Sequence, residues 1–201
     1  MDNNTNYSNL AFHPYRIMMT LFLAGLTMLF LALSGSYIYS RVQNHLPPLN
    51  VPWLFVFNTF ILVGSSWTMM MAKRAYENDN TGAYKKSLMN TILLSVVFMV
   101  SQYLAWKMMM AANITLQTSN ASGYLYAISI IHLLHVVAGL PFLMLFYWKA
   151  QKRMIEPVSV LIYFSDPEKL LKLRLLTLYW HFLDILWIYL VVFFWINSMI
   201  K

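Results

Sequence analysis

Residues 17–40 read IMMTLFLAGLTMLFLALSGSYIYS, with no Asp, Glu, Lys or Arg among them. A bilayer core of ~30 Å is crossed by a helix of about 20 apolar residues, at 1.5 Å each, so this stretch is long enough to span. Three more charge-free runs follow, at 42–72, 87–106 and 108–148. The second run opens with Gln43, Asn44, His45, Pro47, Pro48 and Pro52, which is loop chemistry. Its helix therefore starts at Pro52. In the fourth run, 113–123 is polar and turn-forming, so a single helix follows it. The last apolar segment begins near Leu173 and is interrupted only by Arg174, His181 and Asp184. The spans expected are 16–40, 52–73, 85–110, 122–149 and 173–198. Hydrocarbon offers the backbone no partners, so apolar runs of this length fold as helices, and the alternation of a membrane β-barrel is absent. The fold expected is an all-α integral membrane bundle of five transmembrane helices, forming one membrane domain over 1–201.

Composition agrees. Of 201 residues 60% are apolar and only 10% charged, where soluble domains carry roughly a quarter charged residues. The absence of cysteine removes disulfides, thiolate metal sites, cysteine nucleophiles and covalently attached haem. The net charge of +7 is explained by its placement. Arg16, Lys73, Arg74, Lys85, Lys86, Lys149, Lys152, Arg153, Lys169, Lys172 and Arg174 fall on one side of five spans, and only Arg41, Lys107 and Lys201 on the other. The positive-inside rule makes the first side cytoplasmic, with the N-terminus inside and the C-terminus in the periplasm. The basic excess thus speaks for orientation and for contact with anionic lipid heads, not for nucleic acid. The N-terminal stretch MDNNTNYSNLAFHPYR has no basic region ahead of a short apolar core, so the first helix is expected to insert as an uncleaved anchor. The localisation expected is multi-pass, in a prokaryotic inner membrane.

The cytoplasmic linker 150–172 carries Glu156-Pro157 and Asp166-Pro167 around an apolar patch, 158–164, too short to span. It is expected on the bilayer surface or against a partner. Pro141 interrupts the hydrogen bonding of the fourth span. Small residues at Ala32, Gly35 and Ser36, and at Gly64, Ser65 and Ser66, mark places where helices can approach closely. Trp53, Trp148 and Tyr179 suit an interfacial aromatic belt.

Ionisable side chains inside spans are few and costly, about 2.5–3.5 kcal/mol each at the centre. They are His132 and His135 in the fourth span, and His181 and Asp184 in the fifth. Each pair is spaced i, i+3 and shares a helix face. The reading favoured is a structural polar clamp between the two helices, with Gln102 of the third span hydrogen-bonded to a neighbour. Three others remain open: a proton relay, a metal site from three His and Asp184, and a haem b held between His135 and His181. A transporter would need a polar path and broken helices that this chain lacks.

Tyr179-Trp180-His181-Phe182-Leu183-Asp184-Ile185-Leu186-Trp187 resembles the Y-W-H-F-V-D-x-x-W signature of subunit III of the haem–copper oxidases. Ile131-His132-Leu133-Leu134-His135-Val136 with Gly139 resembles that family's H-x-x-H-V followed by Gly. Asn58-Thr59 with Ser65-Ser66, Gln102 with Trp106, and Tyr37 with Arg41 add weaker matches in the same order. The five spans look like the family's short bacterial form. The resemblance implies an accessory, non-catalytic subunit with no catalytic residue, metal or cofactor of its own. The haems and copper are expected on partner subunits. It implies docking on subunit I, with subunit II and a larger respiratory supercomplex beyond. It also implies bound phospholipid and support of proton uptake by a cytochrome c oxidase-type proton translocase. Quinol oxidases and nitric oxide reductases have similar subunits. His132, His135, His181, Asp184 and Gln102 become structural or lipid contacts. One departure stands out: aligning Phe22-Leu23-Ala24-Gly25 puts Leu26 where the family has Glu, which removes the usual carboxyl from any proton-related role.

Overall fold

The computed structural model describes residues 14–45, 52–154 and 156–199. The expectations for the N-terminal stretch with Asp2, for Pro47 and Pro48, and for Lys201 lie outside the described residues. Six helices follow one another: α1 (Pro14–Gln43), α2 (Trp53–Glu77), α3 (Thr81–Ala111), α4 (Asn120–Arg153), α5 (Pro157–Phe164) and α6 (Pro167–Met199). Five of them, all but α5, are long and apolar enough to cross a membrane.

Each long helix overruns the span read from charge. The reason is that charged residues mark where the hydrocarbon ends, whereas a helix continues until its backbone is capped. Asn80 Oδ1 accepts from the Ala83 N–H at 3.0 Å and starts α3 four residues earlier than Lys85. Ser119 and Ser122 form a reciprocal capping box ahead of α4. Asp166 Oδ1 accepts from the Glu168 N–H at 3.0 Å, so α6 opens at Pro167. Most of the linker 150–172 is helical. Helix α4 also continues through Pro141 to Arg153.

Helix α6 is the hub, packing against α1, α2, α4 and α5. Its Trp180 and Trp187 are fully buried. The Trp187 ring stacks on Phe55 of α2 at 5.5 Å and meets Phe98 of α3 edge-on at 5.2 Å, joining three helices at one point. Helix α1 is peripheral. It leans mainly on α4 and α6, and 22% of its apolar window is buried against 44% for α3. Among the described residues no other part of the chain comes within 4 Å of a Cβ added at Gly35, and Ala32, Gly35 and Ser36 are exposed, so this small patch faces outward.

The apolar patch of the linker is α5. Its Tyr163 and Phe164 turn inward onto Tyr76 and Tyr84, while Leu161 and Ile162 stay exposed.

Candidate functional site

The residues singled out by sequence converge on α6, but they meet different neighbours than expected. Tyr179 is buried, and its hydroxyl donates to the His135 carbonyl of α4 at 2.7 Å. It is therefore not an aromatic-belt residue: its ring is needed between helices. Trp53 and Trp148, by contrast, are exposed. The next residue, Trp180, donates from Nε1 to Ser65 Oγ of α2 at 3.0 Å. His181 Nδ1 hydrogen-bonds the Ser66 hydroxyl, next to Ser65 in α2. Consecutive residues of one helix thus lock both neighbouring helices.

The α4 side works by shape. Gly139 faces the two aromatic rings so closely that an added Cβ would lie 2.8 Å from Trp180 and 2.9 Å from Tyr179. A side chain there cannot coexist with both rings.

No hydrogen bond joins the α4 histidines to the α6 pair among the described residues, so the clamp expected between those two helices takes another form. His135 uses Nδ1 on the Ile131 carbonyl of its own helix at 2.7 Å. A carbonyl only accepts, so that nitrogen carries a proton. His132 is completely buried in an aromatic nest of Phe30, Phe98 and Trp187, with ring centroids at 6.4, 6.0 and 5.0 Å. Among the described residues neither of its nitrogens has a hydrogen-bond partner, nor has Asp184 Oδ2. His135 lies against Phe30 of α1, His132 lies among rings of α1, α3 and α6, and His181 turns to Ser66 of α2. Among the described residues no three His, Asp or Glu side chains converge as ligands.

Gln102 is fully buried, and its Oε1 accepts from Asn58 Nδ2 at 2.9 Å. Trp106 Nε1 donates to Ser129 Oγ at 3.1 Å, tying α3 to α4. Arg41 donates to the Asn197 carbonyl, tying the ends of α1 and α6. Leu26 is 6% exposed, so the departure from the family pattern sits inside the bundle. Sequence reasoning missed Tyr76, whose hydroxyl holds α5 at the Tyr163 carbonyl at 2.8 Å. Its tyrosine at the end of a span carried no signal beyond that of an interfacial aromatic.

A groove of about 550 Å³ runs between α1, α4 and α6. Met19, Phe22, Phe142 and Phe146 give it apolar walls, and Lys149 and Lys172 line it as well.

The chain matches the family model described as cytochrome c oxidase subunit III over residues 5–199. It belongs to that family. A cytochrome c oxidase subunit 3 of Synechocystis sp. is 27% identical over 177 residues, 86% of this chain and 71% of the relative. One from Emericella nidulans is 25% identical over 203 residues, covering 94% and 71%. A probable subunit 3 of Rickettsia felis is 29% identical over 149 residues, covering 74% and 49%. With five helices fit to span and bacterial relatives of this kind, the chain is a multi-pass inner-membrane component of a haem–copper oxidase. In that setting the α6 residues quoted as a signature are the ones that bond α6 to its neighbours.

Proposed function

We propose that this subunit is a non-catalytic scaffold. It docks on the catalytic subunit I, holds phospholipid, and sustains proton uptake during turnover. The observation that carries this reading is the use made of the signature side chains. Trp180, His181 and Tyr179 spend their polar atoms on Ser65, Ser66 and a backbone carbonyl of this chain. Groups so engaged hold helices together and are not poised for chemistry. The haems and copper accordingly belong to partner subunits, with subunit II completing the core and a larger respiratory supercomplex as the wider setting.

The exposed side of α1 and the outward apolar residues of α2 and α3 supply the surface for subunit I and for lipid. The groove between α1, α4 and α6 suits a phospholipid: apolar walls for acyl chains, and Lys149 and Lys172 for the phosphate. The basic face is cytoplasmic by the positive-inside rule, with the N-terminus inside and the C-terminus in the periplasm. Support of proton uptake comes through packing and lipid, since Leu26 has no proton to give. The relatives named above favour cytochrome c over quinol as the donor to the complex.

Deletion of this subunit tests the reading. The core should keep its reduced-minus-oxidised haem spectrum while its activity decays within turnover or its yield falls. A core that sustains full turnover without this chain overturns the proposal.

A further inference from the structure

A second concavity lies where the end of α4, α5 and the start of α6 meet. Its volume is about 440 Å³, and Lys152, Arg153, Glu156, Ser159, Tyr163 and Lys169 line it. The corner is firmly built. Lys85 of α3 donates from Nζ to the Met154 carbonyl at 3.1 Å and ties down the end of α4. The Tyr76 hydroxyl holds α5 from below. The buried Tyr163 ring carries the Lys169 ammonium at 4.6 Å, and Lys169 is paired with Asp166 at 2.8 Å. Lys152 lies 4.1 Å above the Trp148 ring. Neither Lys152 nor Arg153 has a carboxylate within ion-pair distance among the described residues. Lys152, Arg153 and Lys169 outnumber the carboxylates Glu156 and Asp166, and Lys85 adds a further cation at the end of α4, so the corner carries excess positive charge. Beside this charge α5 exposes Leu161 and Ile162, 66% and 65% accessible.

We propose that the corner between α4, α5 and α6 binds one anionic phospholipid, with Lys152 and Arg153 on its phosphate and Leu161 and Ile162 against its acyl chains. The excess positive charge suits the anionic phosphodiester of a phospholipid headgroup. The Arg fork can take two phosphate oxygens at once, and the Lys adds a point charge. A short apolar helix flanked by basic residues is the pattern of a segment lying in the membrane interface. The site is separate from the groove between α1, α4 and α6. It rests on the reading of the five long helices as membrane spans and not on what the subunit does in the oxidase.

The test is a lipid count on the full-length tagged chain, purified in mild detergent with its partner subunits and measured by native mass spectrometry. The K149Q/K172Q background removes the groove lysines. Adding K152Q/R153Q to it should lower the number of retained anionic phospholipids by one per copy, while R153K, which keeps the charge, should retain more than R153Q. An unchanged count overturns the proposal. A complementary measurement returns delipidated wild-type protein to nanodiscs of phosphatidylglycerol or of phosphatidylcholine, or gives it inorganic phosphate in detergent. Recovery of thermal stability with phosphatidylglycerol alone supports the site, provided K152Q/R153Q abolishes the difference. Equal recovery with inorganic phosphate overturns the lipid in favour of a soluble phosphate compound. Whether a haem-bearing subunit co-purifies is read in the same preparation, so a failure of the oxidase role shows as a missing partner and a failure of this site as an unchanged lipid count.

Discussion

The two sides of α6 hold their neighbours by different physics. Toward α2, Trp180 and His181 hydrogen-bond Ser65 and Ser66 while Trp187 stacks on Phe55. Toward α4, the Tyr179 bond to the His135 carbonyl is joined by unusually close packing: Gly139 lets the Trp180 and Tyr179 rings come within 3 Å of where a Cβ would stand, and among the described residues neither nitrogen of His132 has a partner. Lipid removes the hydrophobic drive between helices, so close packing and interhelical hydrogen bonds carry association. This helix uses both, with two side-chain hydrogen bonds toward α2 and the tightest packing toward α4. The packed face has the sharper requirement, because a lost hydrogen bond can be replaced by a neighbour or a water, whereas an occupied volume cannot.

The largest effect is therefore expected at Gly139. A Gly139→Ala change forces two rigid rings apart, and overpacking of this kind costs about 1–3 kcal/mol. Gly139→Val should exceed it and release the subunit from its complex. Thermal unfolding in detergent and the yield of the intact oxidase measure both. If the alanine were tolerated without a fall in midpoint, the rings would have room that the structure denies them.

Trp180→Phe comes next. It deletes the bond to Ser65 together with part of a buried ring. Pairing it with Ser65→Ala in a double-mutant cycle isolates the bond. Interhelical hydrogen bonds in membranes average roughly 0.6 kcal/mol and reach about 1.7, so the coupling should be smaller than the cost of Gly139→Ala. A fully additive cycle would show that the two side chains do not couple.

His132→Leu sharpens the contrast from the other side. Removing a buried group with no partner is close to neutral or stabilising, so the midpoint should hold or rise. A loss above about 1 kcal/mol would mean that the imidazole nitrogens are satisfied after all.

The smallest effect lies outside the membrane. The Lys169 side chain bonded to Asp166 holds that carboxyl below its usual value of 3.8, with backbone N–H groups at the start of α6 helping. Its folded value is depressed, so its contribution is complete above the unfolded value and is lost as pH falls through the lower folded one. Fraying of the first turn of α6, followed by amide exchange, should therefore stay flat from neutral pH down to about pH 4 and appear only in stronger acid. Asp166→Ala should remove that acid step and show the frayed turn at neutral pH.

Much of the membrane architecture was legible in the chain because charge is so costly in hydrocarbon that long apolar runs lacking it mark the spans. The signature around Trp180 was legible too, since its residue types are rare inside membranes. What could not be read was direction. Spacing places His132 and His135 on one face and His181 and Asp184 on another, yet says nothing of how α4 and α6 are rotated about their axes. Side-chain volume decides that rotation, at Gly139 above all, and it sends His181 to α2 instead of α4. Tyr179 was misread for the same reason, as an aromatic near a span end looks alike whether it faces water or a neighbouring carbonyl. The linker helix α5 was hidden because eight residues are too few for periodicity, and its fold depends on Tyr76 and Tyr84 from distant helices.

By itself, then, the sequence determined the five spans and the membership in the subunit III family, because both are written in residue type and order along the chain. The tertiary structure decided which polar groups meet, which glycine admits the rings and where α5 comes to rest. Those outcomes depend on rotation and contact between helices far apart in the chain, and no local pattern encodes them.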